Sequence, residues 1–518
     1  MFREHAHPAM RRLRQPWLGR LRQHARCTNI QQLAANDETS VSNFTRSEDT
    51  IAAIVTPTAP GSGSVGIVRL SGESATSIAS AVFASGGGAR HVDVASLPSH
   101  TVHYGSVVSP SSGDLLDEVL CVPMRAPRSF TAEDVVEINC HGGSVCCQRV
   151  LRACIDQGAR FAQPGEFTMR AFLNGRIDLS QAESVQSLIN ARTNEAASSA
   201  LDSLRGGLSS DVQAARSKVH DLIAELDARL DFDEDLPPLD SDDIKHRIRK
   251  LERELERAIA TAERGRLMET GITVAILGKP NAGKSSLLNA WSKSERAIVT
   301  EVPGTTRDVV EASIPIGGIE VTLLDTAGIR DAPSDAVEMI GVERSRSAAS
   351  GADVLLMVAD AHSGWDSADE DVFESVLKDE RGPPALLVLN KTDICRGGKQ
   401  AETIPTNVSE RFNCNVVHAS ATQSSGIERI EEELLHCCGV NNIQAEGGGW
   451  AVNQRQAEAL VRARDALQRL EGTLEQDVPT DFWTIELREA AIAMGQVTGE
   501  DVSEGVLDVI FSRFCIGK

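Results

Sequence analysis

Apolar positions along this chain change spacing from one stretch to the next, and each spacing predicts a different architecture. Between residues 49 and 168 short runs rich in β-branched residues, "TIAAIVT", "VGIVRL", "LCVPM" and "DVVEINCHGG", are separated by Gly and Pro. Such runs predict an α+β domain. From about Ser180 the apolar residues of "SQAESVQSLINARTNEAASSALDSL" and "SKVHDLIAELDARL" recur at three and four, the helical spacing. The acidic, Pro-containing "DFDEDLPPLDSDD" interrupts that pattern, and Ile244, Ile248, Leu251, Leu255 and Ile259 then form one stripe on a charged helix.

Residues 272 to about 438 switch again. Apolar strands "TVAILG", "VTLLDTAG", "DVLLMVAD", "PALLVLNK" and "VVHASA" alternate with helical stretches, the mark of a doubly wound α/β domain. Helical spacing returns in "NQRQAEALVRARDALQRL", "TIELREAAIAMGQVTG" and "SEGVLDVIFSRF". Each helical segment has a stripe to bury and no partner but the other. The economical arrangement is a helical domain split by an inserted α/β domain whose two ends lie close together. The expected organisation is a leader over residues 1–48, an N-terminal α+β domain over 49–168, helical segments over 169–270 and 441–518, and the insertion over 271–440.

Charge narrows the function classes. Lys and Arg number 52 against 74 Asp and Glu, a net −22, so a grip on nucleic acid by the whole surface is excluded. Any RNA contact requires a local basic patch, which the sequence does not display. The eleven cysteines form no CxxC pair and read as reduced, mostly buried thiols. His141 with Cys140 lacks a second ligand pair for a metal, so a turn is expected there. No run approaches the roughly 18 consecutive apolar residues of a membrane-crossing helix. The first 36 residues hold seven Arg and a single acid, Glu4. That composition suits a transit peptide, mitochondrial before chloroplast, with a disordered basic tail as the plain alternative.

The chemistry starts with "GKPNAGKS", a GxxxxGK[ST] phosphate loop directly after a strand and before a helix. Gly278 and Gly283 let backbone N–H groups face phosphate oxygens, Lys284 supplies a cation and Ser285 a Mg²⁺ ligand. Asn281, Ala282 and Ser286 complete the loop. In "LLDTAG", Asp325 is placed to hold the metal through water, and Gly328, after Thr326 and Ala327, to bring its N–H to the γ-phosphate. In "NKTD" the Asp393 carboxylate accepts both N–H groups of guanine, a donor pair adenine lacks. Asn390, Lys391 and the Ser420 and Ala421 backbone finish the base pocket. Together these motifs predict a GTPase.

"VTEVPGTTRD", Asn281 within the phosphate loop, "VEMIGVERS", "VGIVRLSG", "EDVVEINCHGG", "PGEFTMRAFLNGRIDLSQAE" and the terminal "FCIGK" resemble the MnmE family of tRNA modification GTPases within the TrmE-Era group. The likeness covers residues 49 to 518. It implies a folate-binding N-terminal domain, a helical domain and an inserted G domain. Because Ile329 stands where Ras-like GTPases carry a water-orienting Gln, another group must supply that role, and the resemblance gives it to Glu338. The resemblance further implies K⁺ held by Asn281, Thr300, Val302 and Thr305 when two G domains of a homodimer face each other, with Pro303 and Gly304 in the same switch and Thr306 on Mg²⁺. It places Arg69, Glu137, Arg176 and Lys518 at a 5-formyltetrahydrofolate site. It names tRNA and an FAD-bearing MnmG-type protein as partners.

The rival is a ribosome-assembly GTPase of the Era or EngA type, which requires a basic RNA-binding domain after the G domain. Residues 441–518 instead hold seven Lys and Arg against thirteen acids. Cys515 opens a C-a-a-X-like end, but Gly517 and Lys518 do not suit prenylation, and no lipid anchor is expected. Two readings of Cys515 remain: a packed thiol at a helix end, or a catalytic thiolate delivered with Lys518 to the folate domain by the preceding helix.

Overall fold

The computed structural model describes residues 49–57, 63–85, 90–232, 240–292, 310–325, 351–376, 382–395, 408, 414–440, 449–475 and 480–517. The chain divides into two compact units. One comprises the N-terminal residues through Ile177 together with Val502–Lys518, and the other runs from Asp178 to Asp501.

The first unit is an eight-stranded sheet carrying helices. Its strands are β1 (Ile51–Ile54), β2 (Val65–Ser71), β3 (Phe83–Ser85), β4 (Arg90–His91), β5 (His103–Val108), β6 (Leu115–Met124), β7 (Val135–His141) and β8 (Arg160–Phe161), in the order β4-β3-β5-β6-β7-β2-β1-β8. All neighbours are antiparallel except β1 and β8. Alternate residues of β1, β2 and β7 send Ala52, Val68, Leu70, Val136 and Ile138 into one apolar core under the helices Ala75–Val82 and Ser144–Asp156, as the two-residue period of a strand requires. Cys121, Cys140 and Cys154 lie in this core, where burial pushes their thiols up to about 12, as expected of inert packing residues. His141 ends β7 and bonds through Nδ1 to Asp117 at 2.7 Å.

The helix Glu166–Leu173 lies beside the sheet and is tied down electrostatically. Buried Arg170 bonds Glu166 (3.1 Å), Asp49 (2.8 Å) and Glu133 (3.3 Å), and Arg160 bonds Glu166 at 2.7 Å. Removing Arg170 or Glu166, the two buried members, leaves an uncompensated charge and costs on the order of 3–5 kcal/mol. The conspicuous polar residues of "PGEFTMRAF" therefore serve the fold. The C-terminal helix Glu504–Ser512 packs on this same helix through Phe511, whose ring centre is 6.3 Å from that of Phe172 and 5.4 Å from that of Phe514. Residues 502–517, the end of the helical segment expected over 441–518, thus pack within the N-terminal unit. The expected boundary at 168/169 falls instead at 177/178.

In the second unit, the helices Gly207–Phe232, Ser241–Ala260, Gln454–Glu475 and Thr480–Thr498 bury one shared core that includes Leu222, Ile248, Leu251, Leu467, Leu487 and Met494. Residues on both sides of the insertion build that core, so the helical domain is split as its stripes require. The ends of the insertion meet: Val452 N–H donates to the Thr261 hydroxyl at 3.1 Å, and a Cβ on Gly265 would collide with the Val452 carbonyl. The insertion carries a sheet of β9 (Ile272–Leu277), β10 (Val310–Ile316), β11 (Ile319–Asp325), β12 (Val354–Asp360), β13 (Ala385–Asn390) and β14 (Asn415–His418) in the order β10-β11-β9-β12-β13-β14. The sheet is parallel apart from the β10–β11 hairpin. Its two faces each cover a separate apolar cluster, which makes it doubly wound.

Candidate functional site

The nucleotide site sits at the C-terminal ends of parallel strands, where such sheets leave a crevice. β9 ends at Leu277, the loop follows, and the helix Lys284–Ser292 begins at its far end. Gly278 adopts φ +148 and Gly283 φ +96. A Cβ on Gly278 would run into the Val358 carbonyl, and one on Gly283 into Asn390 Nδ2. These two glycines are demanded by conformation and by space. Asn281, at φ +65, is exposed, and so are Ser285 and Ser286 in the first helical turn. Lys284 is buried, its ammonium donating to the carbonyls of Gly278 (2.6 Å) and Lys279 (2.9 Å), so the loop is closed around the cation that phosphates would meet.

The two guanine motifs are welded to this loop. Asn390, buried at the end of β13, donates to the Ala282 carbonyl and accepts from Ala421 N–H, both at 3.1 Å. Lys391, at φ +67, donates to Asn281 O and to Asp360 Oδ2, each at 2.7 Å. Asp393 accepts from the Ser420 hydroxyl (2.7 Å) on one oxygen and from Thr422 (3.0 Å) on the other. The Ser420 hydrogen bond, aided by Thr422 and opposed by burial, holds the Asp393 carboxyl below the usual carboxylate range. Its pKa is depressed, so the acceptor stays ionised above that lowered value and is lost only as pH falls through it.

Sequence reading found Asn390, Lys391, Asp393, Ser420 and Ala421 but missed Thr422 and Asp360, which hold the recognised residues in place. Thr422 lies one residue beyond "ASA" and Asp360 closes the strand "DVLLMVAD", so a search of the flanks would have found them. The backbone of Asp325 ends β11 beside β9, in register with Ile276. Thr300, Val302, Pro303, Gly304, Thr305, Thr306, Thr326, Ala327, Gly328 and Glu338 lie outside the described residues.

A second candidate site lies in the N-terminal unit. The register of β2 on β7 sets Arg69 directly across from Glu137, and the guanidinium bonds Glu137 Oε1 through both Nε and Nη2 at 2.8 Å. Its carbon stands 5.8 Å from the centre of the Phe130 ring and 5.6 Å from that of Phe167. Arg176 approaches Phe130 as well, at 5.9 Å, with Nε donating to the Ser129 carbonyl at 2.7 Å. Two cations, a carboxylate and a half-buried aromatic face therefore converge, a set suited to a flat heterocycle carrying acidic groups. The aromatic members went unnoticed in the sequence because nothing local marks them.

The chain end reaches this cluster. Gly165 N–H donates to the Cys515 carbonyl at 3.3 Å, Ile516 bridges to Pro164, and the Gly517 carbonyl accepts from Arg69 Nη1 at 3.4 Å. Phe511 and Phe514 are buried, whereas Cys515 is exposed, so the reading of Cys515 as a packed thiol is corrected: the phenylalanines do the packing. Lys518 lies outside the described residues.

Comparison with known proteins gives a consistent pattern. Residues 50–176 match the family model for the N-terminus of the GTP-binding protein TrmE, and residues 179–515 match that for the MnmE helical domain. The chain is 50% identical over 473 residues to the tRNA modification GTPase MnmE of Synechococcus elongatus, covering 91% of this chain and 99% of that protein. Against the protein of the same name from Nostoc the identity is 49% over 472 residues, 90% of this chain and 99% of the relative.

Proposed function

The chain belongs to the MnmE family of tRNA modification GTPases, and from that premise we propose that it drives modification of carbon 5 of the wobble uridine, U34, in tRNA. It is a GTPase; the finer reading adds an MnmG-type flavoprotein carrying FAD and a folate as one-carbon donor. The observation that carries this reading is the convergence of Arg69, Glu137 and Arg176 on Phe130 with the chain end beside them. A folate fits that set: its flat ring system suits the aromatic face, its carboxylates suit the guanidiniums and Lys518, and it would supply the one-carbon unit. Cys515 is the nucleophile offered next to it. The ribosome-assembly alternative is disfavoured, because relatives matched along nine-tenths of the chain carry the tRNA modification name.

In the G domain, Lys284 balances phosphate charge and Ser285 with Thr306 would hold Mg²⁺, Asp325 acting through water. Glu338 orients the attacking water. Asn281, Thr300, Val302 and Thr305 would hold K⁺, which supplies the positive charge an arginine finger provides in other GTPases, when two G domains of a homodimer meet. Potassium is therefore expected to accelerate GTP turnover roughly tenfold or more over sodium, and Asn281→Ala to erase most of that difference. Initial rates in matched KCl and NaCl check this; equal rates for the wild-type chain overturn the potassium role.

The reading includes an address. The Arg-rich, acid-poor composition of the first residues supports import into an organelle that keeps its own tRNAs, the mitochondrion first and the chloroplast as the alternative. Mass spectrometry of nucleosides from separated plastid and mitochondrial tRNA of a depleted strain tests function and address together. The C5-modified uridine is expected to disappear from one pool only. Unchanged nucleosides in both pools would sink the proposal.

A further inference from the structure

The sequence shows no basic patch, yet the fold builds one. Along the helix Ser241–Ala260, the apolar positions Ile244, Ile248, Leu251 and Leu255 face the bundle core. The opposite face presents His246, Arg249, Lys250, Arg253 and Arg257, all exposed. At 1.5 Å per residue the row extends about 16 Å. The whole helix holds six Lys and Arg against five Asp and Glu, so the row is basic by face and not by composition.

Among the described residues, pairing within the fold leaves Lys250, Arg253 and Arg257 of this row without a carboxylate partner, while Arg249 is paired. Two of the acids near it are spent on other cations: Glu254 bonds Lys218 through both oxygens (2.9 and 2.7 Å), and Glu225 bonds Arg247 at 2.8 Å. Arg249 meets Glu471, and Arg253 Nε donates to the Arg249 carbonyl at 3.1 Å. Among the described residues, Lys250 and Arg257 form no ion pair. Glu256 stands at the flank of the row. Two pairs in the row, 249 with 253 and 253 with 257, set guanidinium groups four apart, where they repel.

We propose that this row grips the phosphate backbone of tRNA, the RNA contact that the chain's overall charge denies to the rest of its surface. Phosphates require only a line of cations. A protein partner would require an apolar centre, and no exposed position of this helix carries a large apolar side chain. The inference rests on the tRNA reading above and adds the place of contact. Charge reversal of Lys250, Arg253 and Arg257 to Glu, with the milder set Lys250→Gln, Arg253→Gln and Arg257→Gln as a folding control, tests it in the full-length chain by fluorescence anisotropy with unmodified tRNA across a salt series. The expected result is at least tenfold weaker binding, a slope of log Kd against log salt reduced by about two to three in both variants, and unchanged GTP turnover. Wild-type affinity and slope in both variants, above all with weakened binding of the flavoprotein partner, would overturn the row as an RNA contact and leave the tRNA reading standing. Absence of tRNA binding by the wild-type chain at low salt would overturn both.

Discussion

Replacing Cys515 by serine is expected to bring wobble-uridine modification down on the order of a hundredfold or more, with GTP hydrolysis unchanged. The backbone from Cys515 onward is pinned: Gly165 N–H holds the Cys515 carbonyl, Ile516 bridges to Pro164, and the Gly517 carbonyl meets Arg69. Gly517 sits at φ +93 against Ile54 and Val55, where a side chain would be strained and crowded. Such anchoring would serve no packing need at Cys515, whose side chain faces solvent while Phe511 and Phe514 fill the core. It does hold an exposed thiol two residues before Gly517, whose carbonyl meets Arg69. Serine keeps the shape and the backbone contacts but is a far poorer nucleophile at neutral pH, so the loss falls on chemistry rather than folding. Modification assayed with the purified chain, an MnmG-type flavoprotein and unmodified tRNA reads the rate, and thermal unfolding checks the fold. A normal modification rate in Cys515→Ser withdraws the nucleophile assignment.

The second large effect is expected at Asp393. Its carboxylate is aligned by Ser420 and Thr422, one hydroxyl per oxygen, and each oxygen keeps a lone pair for the base. Asparagine in its place retains one acceptor and turns the other into a donor, which faces the exocyclic N–H of guanine wrongly and the exocyclic oxygen of xanthine correctly. Asp393→Asn is therefore expected to weaken GTP binding on the order of a hundredfold and to strengthen XTP binding. Competition between fluorescent GTP and unlabelled XTP measures both. Unaltered preference for GTP would show that the base is read by other groups. Because Asp393 is held below the usual carboxylate range, chiefly by Ser420, Ser420→Ala is expected to make GTP binding fail at a higher pH than in the wild-type chain.

The amino-acid sequence by itself determined whatever depends on neighbours along the chain. The phosphate loop is a run of contiguous residues whose glycines set the backbone, so "GKPNAGKS" announced its own conformation, and "NKTD" announced the base pocket at the end of a strand. Apolar spacing likewise disclosed the doubly wound insertion and the two halves of the helical bundle, since period two and period 3.6 are local properties. Tertiary structure decided everything that depends on residues far apart meeting. Arg69 and Glu137 are 68 positions apart and became a pair through the register of β2 on β7. Phe130 and Phe167 became their aromatic wall through strand and helix packing. Residues 502–517 continued the helical pattern of their segment, yet they pack with the N-terminal unit, because Phe511 is buried against the helix of Phe172. The basic row on Ser241–Ala260 also escaped the sequence, since the five acids of that helix nearly balance its six Lys and Arg, and only the fold shows that Glu254 is bound to Lys218 and Glu225 to Arg247. Local spacing records a residue's own backbone and face; which charge remains free, and which distant side chain lies opposite, is settled only when the elements dock.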